Sequence, residues 1–266
     1  MSKTVTELTT YAQNREDLYL YALLCDVTKG FYVDVGANHE QLHSVTKLFY
    51  EIGWTGINIE PNSKLIAEFK GKRAADVNLK VAVGSKKGNL KFREYPEHDG
   101  FSTLSKEVMK LNSKKNIPHK DYSVEVTTLR DIFSEHRPKG DIDFLKVDVE
   151  GHELEVLKGN DWKKYKPRVV TFEGTDRDRC ISFMKTKGYK VEFFDGLNYY
   201  LILKTDKKSS IHNFAGAVLT KGLYTGRERE LAVGPHHIGS ESLGIKMSLS
   251  SLKNSILNRA RRSLSR

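Results

Sequence analysis

The run Phe31-Tyr-Val-Asp-Val-Gly-Ala-Asn38 breaks an apolar stretch into a glycine turn with an acid, Asp34, two residues before Gly36. A second acid, Glu60, closes the run Thr55-Gly-Ile-Asn-Ile-Glu60, 24 residues beyond Gly36. Glycine permits the turn and lets backbone and ligand approach closely, and an acid at the tip of the next strand reaches a ribose diol. The turn lacks G-x-G-x-x-G, and the Asp34 carboxylate would repel a pyrophosphate. S-adenosylmethionine carries no phosphate and presents an ammonium group, so an acid beside the turn attracts it.

On this reading Gly36, Ala37 and Asn38 approach the methionine part of the donor. Asp34 positions its ammonium directly or through water, Glu60 accepts the ribose hydroxyls, and Val81, Ala82 and Val83 border the adenine. Chemistry concentrates further along the chain, where Lys146, Asp148 and Glu150 share one face of an apolar run at period two. Ionisable groups there are costly unless paired or used. Asp148 or Glu150 is the favoured base for removing a hydroxyl proton, and Lys146 orients Asp148 or a sugar oxygen, or forms a simple internal ion pair. His152 is the rival base, since an imidazole with a pKa of about 6.5 suits neutral pH, although a histidine opening a helix also serves as a cap. His39, Glu40 and His43 contact the acceptor, provide a base or are solvated helix-end polarity; Ser102 and Glu173 are candidates for the acceptor side, and Gln13, Asn14, Glu16 and Asp17 form either an acceptor wall or a helix cap. No metal is expected, but Asp148 with Glu173 is the pair that would hold a divalent ion.

Something must bring these residues together. Strand-like runs at 31–35, 56–60, 79–83, 144–149, 169–172 and 190–194 alternate with helical segments, the rhythm of a parallel sheet. Val45, Leu48, Phe49 and Ile52 repeat with helical spacing before Gly53, and Leu65, Ile66 and Phe69 mark a weaker helix. Further helices follow Gly151 and span 177–187. Asp195-Gly196 between Val191-Glu-Phe-Phe194 and Tyr199-Tyr-Leu-Ile-Leu203 signals a hairpin. The insert from Glu94 to Tyr122 lacks clear periodicity beyond a short helix at 105–111, followed by a strand at 123–127; it reads either as a lid carrying Ser102 and Thr103 or as an idle surface loop.

His43-Ser-Val-Thr-Lys-Leu-Phe-Tyr-Glu-Ile-Gly-Trp-Thr-Gly-Ile-Asn-Ile-Glu-Pro61 and Phe144-Leu-Lys-Val-Asp-Val-Glu-Gly-His-Glu-Leu-Glu-Val-Leu-Lys-Gly159 resemble the FkbM family of methyltransferases. Gln13-Asn-Arg-Glu-Asp17 and Val126-Thr-Thr-Leu129 extend the likeness to residues 11–203. The resemblance implies an α/β fold, the Rossmann-like class I methyltransferase. Its seven-stranded sheet is mostly parallel with a terminal antiparallel hairpin, and helices cover both faces. It also implies S-adenosyl-L-methionine as donor and O-methylation of hydroxyls on sugars of polysaccharides or on natural products. His43 stands where the family pattern often has an acid.

The chain of 266 residues has a net charge of +10, of which residues 205–266 carry 11 Lys/Arg against 4 Asp/Glu. Three units are expected: 1–30, a helical segment packing on the core; 31–204, the donor-binding domain; and 205–266, a basic extension. From Ser248 onward Leu249, Leu252, Ile256, Leu257, Ala260 and Leu264 recur near helical spacing among Lys253, Arg259, Arg261 and Arg262. Such a helix through residues 247–266 suits an anionic membrane surface, glycan-assembly enzymes or another protein face. Cys25 and Cys180 form neither a disulfide framework nor a zinc motif, and the N-terminus lacks a signal-peptide pattern. The expected location is cytoplasmic, peripheral on the inner face of the membrane if the tail docks there. RNA methylation is the lesser reading, since Asp148-Val-Glu-Gly151 stands where enzymes acting on base nitrogens have N/D-P-P-Y, and a non-catalytic scaffold subunit is a third.

Overall fold

The computed structural model describes residues 8–136, 140–173, 176–209 and 245–247. Its centre is a seven-stranded sheet built from β2 (Phe31–Val35), β3 (Thr55–Ile59), β4 (Val77–Leu79), β8 (Phe144–Val147), β9 (Val169–Glu173), β10 (Tyr189–Phe194) and β11 (Asn198–Leu203), in the order β10-β11-β9-β8-β2-β3-β4. Pairing is parallel from β4 to β9, and β11 runs antiparallel to both of its neighbours. This is the expected Rossmann-like class I methyltransferase fold. The chain leaves β2 toward β3 on one side and enters β8 on the other, so the crevice beyond the carboxyl ends of β2 and β8 is the topological switch point.

Strand alternation divides the core. Val33, Val35, Ile57, Ile59, Leu145, Val147, Val170 and Phe172 face one way and pack with α5 (Leu129–His136), α6 (Glu153–Lys158) and α7 (Arg177–Thr186). Tyr32, Phe144, Val169 and Tyr200 face the other, under α1 (Glu16–Leu23) and α2 (Lys47–Glu51). On that second face, one layer nearer the switch point, the register aligns Asn58, Asp34, Lys146 and Thr171 into one polar row across four strands. Asp34 and Lys146, both candidates for chemistry, thus stand on an apolar floor.

The structure corrects several element boundaries. The expected strand at 79–83 is two: β4 ends at Leu79 in the main sheet, and β5 (Ala82–Val83) joins a second sheet ordered β5-β7-β6, with β6 at Gly88–Glu94 and β7 at Lys120–Thr127. The expected strand at 144–149 stops at Val147, because Glu150 and Gly151 adopt left-handed backbone (φ 53° and 91°) and turn the chain into α6. The insert is ordered rather than aperiodic. It holds a 3-10 turn at Asp99–Phe101 and α4 (Lys106–Ser113), capped by the Ser105 hydroxyl accepting from the Val108 amide, and β6 pairs with β7 along its length. Helix α3 (Ser63–Glu68) accounts for Leu65 and Ile66.

Of the expected units, 1–30 contributes β1 (Leu8–Thr10) and α1, whose Leu18, Leu20 and Leu23 are buried in the core. The extension returns to this end: β12 (Ile245–Met247) pairs antiparallel with β1. The basic segment from Ser248 onward lies outside the described residues. Among those described, no helix is long and apolar enough to cross a membrane.

Candidate active site

A cavity of about 600 Å³ opens at the switch point, bordered by Gly36 to His39, Glu60, Val81 to Val83, Phe101 to Leu104, Lys146, Asp148 to Glu150, Thr171 and Glu173. Ligand sites of α/β sheets lie at this place, and the volume is that of a small-molecule site.

Gly36 is fixed by close approach. Its φ is +78°, and a β-carbon there would lie 1.8 Å from the Asp148 carbonyl oxygen, so only glycine lets the turn after β2 pass the loop after β8. The turn's amides are already engaged: Gly36 and Ala37 both donate to the Ile59 carbonyl, and Asn38 donates to Glu60 Oε2 at 3.1 Å. The glycine turn therefore offers no free amides, and it brings two loops together. Glu60 is buried, and its other oxygen accepts from the Asn62 amide at 2.9 Å. Burial pushes its carboxyl up to about 7 despite these two bonds. Asn38 sits in left-handed backbone with its Oδ1 buried and unpartnered at the cavity wall. Val81, Ala82 and Val83 join Ile59, Leu65 and Phe92 as an apolar arm beside Glu60.

Asp34 does not line the cavity; it lies fully buried beneath it. Its carboxylate is 3.3 Å from Lys146 Nζ and accepts from the Thr46 hydroxyl at 3.2 Å. Lys146 Nζ also donates to the Gly36 carbonyl at 2.9 Å and lies 3.4 Å from Asp148. Burial opposes a charge on Lys146, but Asp34 and Asp148 outweigh it and hold the amine protonated. Asp34 does not itself line the cavity, so of the two expected routes to the donor's ammonium, direct or through water, the direct one is closed.

Asp148, Glu150 and Glu173 form an acidic ledge beside Lys146. Glu150 is pushed up to about 8, chiefly by burial and then by the Asp148 and Glu173 charges. Glu173 reaches about 8 by burial, with Asp148 and Glu16 adding to it. The loop carrying Asp148 and Glu150 is held from two sides. Glu153 Oε1 accepts from the Val149 and Gly151 amides at 3.1 and 3.0 Å, and the Thr103 hydroxyl donates to the Glu150 carbonyl at 2.7 Å.

His152 leaves this group. The left-handed Gly151 directs it away from the cavity toward Gly84, burial lowers its pKa, and its Nε2 is buried without a partner. It is packed away from the cavity, where a rival base would have to stand. His39 lines the cavity as a clamp: Nδ1 meets Glu68 at 3.1 Å and Nε2 meets Asp99 at 2.7 Å. Those hydrogen bonds raise it to about 9 against burial, so at neutral pH it is an imidazolium with both nitrogens engaged and cannot serve as a base. His43 also lines the cavity, neutral because burial and the His39 charge lower its pKa. Ser102 is in the wall, its Oγ accepting from the Tyr95 amide. Gln13 and Glu16 line the far side, where Asn198 donates to Glu16 Oε1 at 3.0 Å. Asp17 instead folds inward onto the Thr10 hydroxyl and the Tyr11 amide. Glu40 is buried against Arg73, Lys47 and Lys72.

The sequence reading missed Asp99, Thr171, Asn198 and Arg73. Thr171 had a visible signal, a hydroxyl in the otherwise apolar Val169-Val-Thr-Phe172. Arg73 had none: it is fully buried, donating to the Glu40 carbonyl at 2.6 Å and to the Ser44 and Tyr32 hydroxyls, and so braces the segment after the glycine turn. Among the described residues, no group of three or more His, Cys, Asp or Glu side chains is placed to hold a metal ion.

The Methyltransferase FkbM domain matches residues 34–191. Methyltransferase sdnD of Sordaria araneosa is 31% identical over 138 residues, covering 42% of this chain and 53% of that protein, so the chain spans about half the length of the curated relative it matches. Among solved structures, the Methyltransferase FkbM of Methylobacillus flagellatus aligns at 16% identity and a TM-score of 0.42 over 65% of this chain and 43% of that one. A putative RNA methyltransferase of Pyrococcus horikoshii aligns at 10% identity and a TM-score of 0.34 over 71% and 82%. Structural likeness at that level adds nothing to the assignment, which rests on the domain match across more than half of the sequence: the chain belongs to the FkbM family of S-adenosylmethionine-dependent methyltransferases.

Proposed function

We propose that this protein methylates a sugar hydroxyl in a polysaccharide or related glycan, such as an O-antigen, capsule or glycolipid. The carrying observation is the acidic ledge of Asp148, Glu150 and Glu173 at the carboxyl ends of β8 and β9, in the same cavity as the arm that suits the donor.

S-adenosylmethionine, when bound, supplies a methyl group on a sulfonium. The residues fit it: Glu60 keeps lone pairs for a ribose diol, the Val81–Val83 arm suits adenine, and Asn38 Oδ1 is an unanswered acceptor beside the turn. Glu150 takes the acceptor's hydroxyl proton, because a carboxylate whose proton affinity lies near neutrality is both available and basic enough to assist. Asp148, held by Lys146, orients the hydroxyl, and Glu173 and Ser102 hold the rest of the sugar. A carboxylate-rich wall answers the many O–H donors of a sugar and repels phosphate, which argues against nucleic acid as acceptor. The composition of residues 248–266 supports docking on an anionic membrane, where lipid-linked glycans would be met.

The test uses donor with a deuterated methyl group and a panel of oligosaccharides, read by mass spectrometry. A label on a sugar oxygen, lost at least about 100-fold in Glu150→Gln while S-adenosylhomocysteine still binds, is expected. A label found only on nitrogen, or an unaffected Glu150→Gln enzyme, would overturn it.

A further inference from the structure

Seven carboxylic acids line the cavity, and Lys146 is the single lysine or arginine among its lining residues, in a chain whose net charge is +10. The donor accounts for part of this imbalance, since its ammonium and sulfonium outnumber its one carboxylate. Asp148 is answered by Lys146. Glu16, Glu150 and Glu173 have no cationic partner within ion-pair distance among the described residues, and they lie on the side away from Glu60 and the apolar arm.

A second observation points at the same place. Thr171 is 1% exposed, lines the cavity, stands next to Lys146 in the strand register, and its hydroxyl has no hydrogen-bond partner. A buried hydroxyl without a partner costs free energy unless something that enters the cavity answers it.

We propose that the acceptor carries a positively charged amine near the hydroxyl that is methylated, as an unacetylated amino sugar does, and that Glu16, Glu150, Glu173 and the Thr171 hydroxyl receive it. The proposal rests on the sugar-hydroxyl reading above and narrows its substrate class. An ammonium offers three N–H donors to acceptor-only carboxylates, and these charge-assisted bonds are roughly twice as strong as neutral ones. An N-acetylated sugar brings one amide donor and no charge, and an acidic sugar is repelled. Because burial holds Glu150 and Glu173 near a pKa of 8, an arriving cation draws them into the ionised form and releases protons.

The experiment is calorimetry on the full chain with saturating S-adenosylhomocysteine, using glucosamine and N-acetylglucosamine as probes in two buffers of different ionisation enthalpy. The amine should bind at least about tenfold more tightly at pH 7, equivalent to about 1.4 kcal/mol, with proton release. Glu173→Gln and Thr171→Val should each shrink that preference while leaving affinity for S-adenosylhomocysteine unchanged, which also reports that the variants are folded. Equal affinity, a preference for the acetylated sugar, or no binding of either probe overturns the proposal. Methyl label on neutral sugars without amine preference would sink this inference and leave the sugar-hydroxyl reading standing, whereas amine binding with label found only on nitrogen would overturn that reading and this inference with it.

Discussion

The Thr103 hydroxyl donates to the Glu150 carbonyl at 2.7 Å while accepting from the Ser105 amide at 2.8 Å, which joins the insert to the loop that carries the proposed base. Glu150 sits in left-handed backbone, so its orientation depends on such outside support. Thr103→Val removes the bond and leaves a carbonyl unanswered, a loss of about 1–3 kcal/mol. Turnover should fall about tenfold or more with donor affinity little changed. Thr103→Ser should restore it. Steady-state kinetics beside donor calorimetry separate the two effects, and an unchanged turnover in the valine variant would show that the insert does not position this loop.

Gly36→Ala should abolish donor binding. The β-carbon has nowhere to go: the obstacle is the Asp148 carbonyl at 1.8 Å, backbone rather than a side chain that swings aside, and φ is +78°. Relief requires the turn after β2 and the loop after β8 to separate, which misplaces both walls of the cavity. Calorimetry with S-adenosylhomocysteine, with circular dichroism to verify folding, checks this, and retention of affinity within threefold or so, about 0.7 kcal/mol, would contradict it.

Most of the sheet was legible because its central strands are buried on both faces and read as continuous apolar runs, and Asp195-Gly196 marked the closing hairpin. Glu60 and the Lys146 to Glu150 series were legible for the same reason: an acid or lysine ending such a run is conspicuous. Spatial partnerships were not. His39 meets Asp99 from 60 residues away, and nothing local in either neighbourhood announces it. His152 misled because an imidazole's ordinary pKa suits a base at neutral pH, whereas the left-handed Gly151 turns this one away from the cavity. Likewise the continuous run Leu79-Lys-Val-Ala-Val83 hid a change of sheet, with two strands on either side of Lys80 and Val81.

Lys146 holds the polar row together, and its removal should be costly. Asp34 is 1% exposed, and without Lys146 its charge loses the amine 3.3 Å away. Breaking a buried pair from one side typically costs about 3–5 kcal/mol, so Lys146→Met should lower the urea midpoint accordingly. The double variant Lys146→Met with Asp34→Asn should recover most of that stability, because no uncompensated charge remains. Donor binding should stay impaired in both, since Asp148 and the Gly36 carbonyl have lost the amine that fixes them. A double variant no more stable than the single one would show that the pair's worth lies elsewhere.

The His39 clamp predicts how the site responds to alkali. Glu68 approaches one ring nitrogen from α3, and Asp99 approaches the other from the 3-10 turn of the insert. His39 is raised to about 9 from its ordinary 6.5, so the folded form favours the imidazolium. The clamp's stabilisation is therefore complete below about 6.5 and is lost as pH rises through about 9. Neutral imidazole carries one N–H and can satisfy only one of the two carboxylates, so the insert loosens over the cavity. Release of S-adenosylhomocysteine, followed by stopped flow, should accelerate as pH crosses about 9, and His39→Gln should release quickly at every pH. Glutamine keeps a single amide donor group but no charge, so a variant that retained the wild-type pH step would assign the titration to another group facing the cavity, with Glu150 and Glu173 the first to replace.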